Sequence, residues 1–357
     1  MLASLLLLPD LFDTGNWQEN PHWPAAAETP SFETHWKTWD SQHYLRIAEA
    51  GYDRGTKTSA FYPLWPLMLR GAAPLFGGSF HVAAIVLANG LALLACLLLH
   101  GVIARKLGDG VALRTLVILL AFPGAFFLGL PYSESLFLAL IALFFWALDR
   151  DRLPLAAGAA LLLPMCRPTG ILILIPLAVH FGIILMRERT WRRTYLWTAA
   201  PVIGFCGYLG LMTLMAGDPF EGFAAQSRFF IASSVGRLFD LGGFISFFIS
   251  GAISLHGVTT SLIDRLWFLW LLACLPAVWK LDKTWFAFTL VMGVIPAMTI
   301  PIASFTRYAL VLFPMFAVTA DFLDTPSRRP WTAPLLLGLG GIQAIFMIRH
   351  INNLWAG

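Results

Sequence analysis

The 357-residue sequence is 58% hydrophobic and only 12% charged, with a mean hydropathy of +0.72. Soluble domains carry about 25% charged residues, so this composition excludes an ordinary soluble protein and indicates a helical protein that crosses a membrane many times. Continuous apolar runs exclude a transmembrane barrel, whose segments alternate in polarity. The small net charge of +4, spread along the chain, excludes the basic patch of a nucleic-acid-binding protein.

Ten long apolar runs predict membrane-spanning helices, because about 20 apolar residues cross a hydrocarbon core of about 30 Å. They cover residues 82–104, 111–130, 132–148, 153–166, 168–186, 195–216, 262–279, 284–303, 308–323 and 331–348. A shorter run at 2–12 reaches about 16 Å as a helix, and no basic stretch precedes it, so a cleaved signal peptide is not expected. The sequence predicts an all-α polytopic bundle of about 10–11 transmembrane helices.

Basic residues recur at every second connection between these runs, and the positive-inside rule places such connections in the cytoplasm. They are Arg105 and Lys106, Arg150 and Arg152, the stretch 187–193, Lys280 and Lys283, and Arg328 and Arg329. The long connections 13–81 and 217–261 then face outward. We predict one integral-membrane domain over 1–357, with interfacial helices in 13–81. In the second connection, 229–255 is expected to lie in the interface, because crossing would reverse the side assigned to Lys280.

The same count of connections places four polar clusters at one outer face of the membrane. They are WDSQHY (39–44), LPYSES (130–135), MCRPTG (165–170) and SFTRY (304–308). Because these clusters are far apart in the chain but share a face, we predict that they converge into one site.

Asp40 opens a helical pattern, DSQHYLRIAEAGY, directly after Trp39. Its carboxylate is suited to accept a proton from a hydroxyl group, and His43 and Tyr44 share its helix face by their spacing. The alternative is a helix N-cap, in which the carboxylate accepts a backbone N–H. The sequence leaves both roles open.

Glu134 lies between Ser133 and Ser135 at the start of an apolar run. A charge inside the hydrocarbon is unfavourable, although less so near a helix end. Because Glu134 is flanked by two hydroxyl groups and faces an outer cavity, it is a second candidate acid. The alternative is a helix-start carboxylate that the helix dipole favours, with one of the serines as a cap.

Two arginines lie at outer turns. Arg167 stands between Pro164 and Pro168 with apolar runs on both sides, and Arg307 precedes Tyr308 at a helix start. Guanidinium groups bind phosphate in a bidentate geometry, so both arginines are predicted to bind an anionic ligand.

Prolines interrupt the stretch 59–78, so it is predicted to be bent and to help form a groove between spans. Tyr62 belongs to an aromatic stripe there, for which packing is the main interpretation and a sugar platform the alternative. No metal site is predicted, because the DRDR of 149–152 reads as a solvated charged turn and the histidines lack metal-ligand spacing.

Five motifs in this order resemble the PIG-V family of GPI mannosyltransferase II-like proteins, including bacterial relatives. They are WDSQHYLRIAEAGY, AFYPLWPLMLR, PYSESLFLAL, CRPTG and the RY of SFTRY, over residues 39 to about 316. The resemblance implies a glycosyltransferase of the GT-C superfamily, which inverts the anomeric centre and uses a polyprenyl-phosphate sugar, typically mannose, outside the cytoplasm.

The resemblance also implies roles for residues. Asp40, preceded by Trp39, would be the general base, with Asp10 in LLPDLFD as the reserve. Arg167 and Arg307, with Tyr308, would face the donor phosphate, and Glu134 would orient hydroxyl groups. The remaining expected substrate-positioning residues are Trp39, His43, Tyr44, Tyr62, Ser133 and Ser135.

The sequence and the resemblance thus predict an enzyme that transfers a hexose from a polyprenyl-phosphate sugar to a lipid-linked or glycan acceptor. The first candidate donor is polyprenyl-phosphate-mannose. The expected location is a bacterial-type plasma membrane with the site on the outer face. The sequence predicts no definite cofactor, and a divalent metal is an alternative that no residue pattern supports. An accessory membrane subunit is a further alternative. The alternative is a transporter or lipid-glycan flippase, which would favour paired ionisable residues at mid-span and internal repeats.

Overall fold

The computed structural model describes residues 23, 37–229, 234–250, 254–258, 261–299 and 302–356. Within these ranges the chain forms helices, turns and short loops, and an isolated β bridge joins Ser254 and Ser261. The all-α prediction is confirmed. The run 2–12 and Asp10 lie outside the described residues.

Each of the ten predicted apolar runs contains an α-helix, and in several runs the α-helix is shorter than the run. In chain order the α-helices are α1 (Asp40–Ala50), α2 (Leu64–Ala72), α3 (Phe80–Leu107), α4 (Asp109–Ala121), α5 (Glu134–Leu148), α6 (Leu153–Cys166), α7 (Leu174–Glu188), α8 (Ala200–Ala216), α9 (Glu221–Gln226), α10 (Leu241–Ser250), α11 (Leu262–Leu281), α12 (Lys283–Thr299), α13 (Phe305–Ala309), α14 (Phe313–Leu323) and α15 (Thr332–Ile351).

Short 3₁₀ helices join or extend several of them. They cover Lys57–Ala60, Ala73–Phe76, Pro123–Gly129, Pro168–Ile173, Arg193–Ala199, Val235–Phe239 and Arg329–Trp331.

Five helical segments of the described chain are long and apolar enough to cross a membrane, or six if one bent pair is a single span. They are Phe80–Leu107, Pro168–Glu188, Arg193–Ala216, Leu262–Leu281 and Arg329–Ile351, and α5, α6, α12 and α14 are shorter apolar helices. A polytopic membrane protein is confirmed, whereas the number of 10–11 spans stays a prediction.

The run 111–130 was predicted as one helix, and this is wrong. Helix α4 ends at Ala121, and the 3₁₀ helix Pro123–Gly129 continues at 86° to it. The cause is Pro123, which has no N–H for a helical hydrogen bond and disfavours helical backbone at the residue before it. Phe122 accordingly takes an extended conformation, with φ −62° and ψ 139°.

Helix α5 lies at the centre of the bundle and packs against α3 and α6. Nearly every residue from Glu134 to Leu148 is buried, which is typical of a helix that is apolar on all sides. Because α5 begins at Glu134, the polar end of the most buried helix coincides with one of the predicted clusters.

The two long connections hold short helices. In 13–81, α1 has 11 residues and α2 has 9. In 217–261, α10 has 10 residues and reaches about 15 Å, half of a hydrocarbon core of about 30 Å. The interfacial position of both connections stays a prediction.

Candidate active site

A cavity of about 550 Å³ lies where the four predicted polar clusters meet. Eight of the predicted site residues line it: Trp39, Asp40, His43, Tyr44, Tyr62, Arg167, Arg307 and Tyr308. The convergence that the count of connections predicts is therefore present in the structure.

Four charged side chains from four distant segments form one network at this cavity. Arg307 Nη2 lies 2.7 Å from Asp40 Oδ2, and Arg307 Nε donates to Glu134 Oε1 at 2.8 Å. Arg307 Nη2 also contacts the same Glu134 oxygen, and Arg167 Nη1 lies 3.0 Å from it. Two carboxylates thus balance two guanidinium groups.

The network has a buried end and an open end. The Glu134 side chain is fully buried, whereas Asp40 keeps 30% of its side chain exposed. A buried carboxylate needs compensating cations, and both arginines point at this one. Asp40 is consequently the carboxylate of the network that a ligand in the cavity can reach.

The Asp40 carboxylate pairs with Arg307 and does not cap its own helix. Trp39 is the N-cap of α1, and no side-chain cap hydrogen bond forms there, so the N-cap interpretation of Asp40 is wrong. Trp39 has φ 52°, a left-handed conformation that costs energy for a non-glycine residue and is common at functional sites. Its ring packs edge-on against Trp355, with ring centroids 6.0 Å apart.

Aromatic rings flank the charged groups on both sides. The Arg307 guanidinium lies 4.9 Å from the ring centroid of Phe127 and 5.1 Å from that of Tyr132. Further along the cavity, His43 stacks on Phe61 at 4.4 Å, and its Nδ1 lies 3.0 Å from Thr58 Oγ1. Burial lowers the pKa of His43 to about 4, so its imidazole is neutral at pH 7.

Several predicted site residues lie behind the cavity wall rather than in it. Glu134, Ser133 and Ser135 are buried and do not line the cavity. Ser133 Oγ instead lies 2.7 Å from Tyr44 Oη, which ties α1 to the start of α5. Tyr62 does line the cavity, but its ring stacks on Tyr208 at 4.2 Å, as the packing interpretation expected.

Two groups of residues that line the cavity were not predicted from the sequence, one of them at the C-terminal end of the chain. His350, Trp355 and Ala356 close one side of the cavity, and Lys57 and Phe229 lie on another. The sequence did hold a signal for His350, Trp355 and Ala356, because the last apolar run, 331–348, directly follows the basic connection with Arg328 and Arg329. By the same count of connections, its other end falls on the face that carries the four clusters.

Comparisons with known proteins bear on this site. The family model described as Mannosyltransferase (PIG-V) matches residues 21–166, which include Asp40 and Glu134 and end one residue before Arg167. No curated protein matches the chain.

Among solved structures, the chain is similar to the oligosaccharyltransferase of Archaeoglobus fulgidus, solved in complex with Zn and sulfate, with a TM-score of 0.48 and 11% identity. The match covers 100% of this chain and 53% of that one, so the chain spans about half its length. The family model confirms the motif-based resemblance over residues 21–166, which hold the first three of the five motifs, whereas CRPTG from Arg167 onward and the RY of SFTRY lie beyond the match.

Proposed function

We propose that this chain is an inverting glycosyltransferase of the GT-C type. It moves a hexose from a polyprenyl-phosphate sugar to a hydroxyl of a lipid-linked or glycan acceptor, and mannose is the first candidate for that hexose. The family match supports a glycosyltransferase. The observation that carries the proposal is the contact, inside one cavity, of the accessible carboxylate of Asp40 with the guanidinium of Arg307.

The reaction is a direct displacement at the anomeric carbon of the donor. The acceptor oxygen forms a bond to C1, the bond from C1 to the phosphate oxygen breaks, and the hydroxyl proton passes to Asp40. Attack from the face opposite the phosphate inverts the anomeric centre. A positioned base contributes about 10²–10⁴-fold to such a step.

Arg307 links the two ends of this displacement. As Asp40 accepts the proton it loses negative charge, and at the same time the departing polyprenyl phosphate gains it. If the Arg307 guanidinium reaches both the Asp40 carboxylate and the donor phosphate, it has an anionic partner before, during and after the displacement. Such a preorganised positive charge in a site that excludes water lowers the activation barrier. Arg167, at 3.0 Å from Glu134 and also in the cavity wall, adds a second cation for the phosphate.

Glu134 acts on the arginines rather than on the substrate. It is fully buried, lies outside the cavity lining, and accepts from both guanidinium groups through Oε1. We therefore assign it the positioning of Arg167 and Arg307 in place of the acid role.

A membrane-borne donor fits the proposed sidedness of the site. Arg105 pairs with Asp149 at 2.7 Å and Lys106 with Asp282 at 2.7 Å, so basic connections gather at the end of α5 opposite Glu134. The positive-inside rule then puts the charged network on the non-cytoplasmic side. Nucleotide sugars are not expected there, which favours a sugar delivered on a lipid phosphate.

The test is transfer from radiolabelled polyprenyl-phosphate-mannose by purified protein incubated with a membrane extract. Wild type should give a labelled product that identifies the acceptor, and Asp40→Asn should lose about 10²–10⁴-fold in rate while still binding the donor. Asp53→Asn is the matched control, because Asp53 is 59% exposed and pairs only with Arg46 among the contacts described. Absence of transfer from any lipid-linked sugar overturns the proposal.

A further inference from the structure

Asp264 is a buried carboxylate that the proposed reaction does not use. It is the third residue of α11, and its side chain is fully buried. Both hydrogen-bond donors of Thr306 converge on one of its oxygens: the backbone N–H reaches Oδ1 at 2.7 Å and the hydroxyl at 2.6 Å. Thr306 directly precedes Arg307.

The usual structural reasons for an acid at this position do not account for its burial. A first-turn carboxylate can stabilise a helix N-terminus from the surface. The α11 N-terminus already has a cap, since Ser261 Oγ accepts from the Asp264 N–H at 3.0 Å.

No described arginine or lysine pairs with Asp264. His256 Nδ1 lies 4.0 Å from Oδ2, and burial lowers the pKa of His256 to about 4, so the imidazole is uncharged at pH 7. Burying an unpaired carboxylate is unfavourable unless strong hydrogen bonds compensate. Thr306 supplies those hydrogen bonds.

The segment that Asp264 holds has little stability of its own. Helix α13 has five residues, and Ser304 at its N-cap has φ 59°, a strained left-handed conformation. On the other side, Gly124 packs so closely that a Cβ there would lie 2.5 Å from the Thr306 carbonyl oxygen. Thr306 is therefore clamped between α11 and the 3₁₀ helix Pro123–Gly129.

We propose that Asp264 is a positioning residue, which fixes Thr306 so that the Arg307 guanidinium contacts Asp40 and Glu134 at the same time. This inference rests on the proposed function, and it assigns to Asp264 the placement of the cation that meets the leaving phosphate. Releasing the clamp should displace Arg307, and a misplacement of about 1 Å can lower a rate by about 100-fold.

The first experiment measures the position of Arg307 without any enzyme assay. The rate of phenylglyoxal modification of Arg307 is followed by mass spectrometry in wild type, Asp264→Asn and Asp264→Leu, each checked by gel filtration. Asn keeps an acceptor oxygen for Thr306, so its rate should match wild type, whereas Leu should raise the rate about 10-fold. Equal rates in all three proteins overturn the proposal, and Thr306→Val takes the place of Leu if Leu fails to fold.

The second experiment is a double-mutant cycle in the transferase assay. Asp264→Leu should lower kcat about 100-fold with KM for the acceptor unchanged, and it should add little to the loss caused by Arg307→Lys. The matched control is Asp282→Leu, because Asp282 also accepts backbone N–H groups at a helix start, from Thr284 and Trp285, but at the opposite end of α11. Its effect should be independent of Arg307.

The outcomes separate the two proposals. Additive losses for Asp264→Leu and Arg307→Lys overturn the positioning role while leaving the enzyme in place. Faster labelling of Arg307 in Asp264→Leu, with no transferase activity in wild type, supports the clamp and overturns the proposed function.

Discussion

Arg307 carries the greatest number of interactions in the charged network. Its guanidinium contacts Asp40 and Glu134 and lies over the rings of Phe127 and Tyr132. Because these contacts come from three parts of the chain, α1, the 3₁₀ helix Pro123–Gly129 and residues 130–135, a change to any of these neighbours shifts the same cation. Residue-scale changes at this site therefore alter stability and chemistry together.

Neutralising Glu134 should destabilise the protein strongly. Glu134→Gln leaves Arg167 without a carboxylate partner among the described residues and leaves Arg307 with Asp40 alone. Loss of one partner of a buried pair costs about 3–5 kcal/mol. Thermal unfolding in detergent measures the change. Glu188→Gln is the control, since the Glu188–Arg192 pair is exposed and such pairs contribute about 0–1 kcal/mol. Similar losses for the two variants would contradict the burial argument.

His43 should make stability depend on pH in the acid range. Its pKa is lowered by burial from 6.5 to about 4, so the folded state resists protonation that the unfolded state accepts. The contribution is fully present above pH 6.5 and is lost as pH falls toward 4. His43→Asn should remove this slope, so that the difference in Tm between the variant and wild type narrows on acidification. A constant difference from pH 7 to 4 would show that His43 is not buried as a neutral group.

At the scale of elements, the site depends on short and broken helices rather than on the long ones. Asp40 lies on α1, Arg307 lies on α13, and Phe127, which contacts Arg307, lies on the 3₁₀ helix Pro123–Gly129. Continuous apolar runs indicate the long helices well, and the boundaries of α6 and α11 agree with the predicted runs to within two residues. Hydropathy did not show the bend at Pro123, because one proline in a run of twenty mostly apolar residues hardly changes the mean hydropathy but removes a backbone N–H donor.

Gly124→Ala tests the close approach of the bent element to α13. The added Cβ would meet the Thr306 carbonyl oxygen at 2.5 Å, so either the 3₁₀ helix or α13 must move. Overpacking of this kind costs about 1–3 kcal/mol, and transferase activity should fall with it because Arg307 follows Thr306.

Gly90→Ala in α3 is the control for this prediction. Nothing lies within 4 Å of the Cβ it would add, and alanine has the higher helix propensity. It should leave Tm unchanged or raise it. Unchanged stability in both variants would show that the contact between Gly124 and Thr306 is not close.

For the whole molecule, the sequence predicted which segments meet but not how they bond. The predicted sides of the connections placed residues 39–44, 130–135, 165–170 and 304–308 at one membrane face. In the structure, neighbouring charged groups of the network from these segments lie within 3.0 Å of one another. The burial of Glu134 behind the cavity wall was not predictable, because depth depends on packing of α5 between α3 and α6. The hydrogen bonds between Thr306 and Asp264 were not predictable for the same reason, because they depend on how α13 packs against α11.

The remaining whole-molecule expectation is the side of the membrane on which the cavity opens. Single cysteines placed in a variant lacking Cys96, Cys166, Cys206 and Cys274 report it by reaction with an impermeant maleimide. Lys57→Cys, at the cavity, should react in intact cells, whereas Arg192→Cys, in the basic stretch 187–193, should react only after the membrane is opened. The reverse pattern would place the cavity in the cytoplasm, where nucleotide sugars are present, and would remove the reason for a lipid-phosphate donor while leaving the network of Asp40, Glu134 and the two arginines intact.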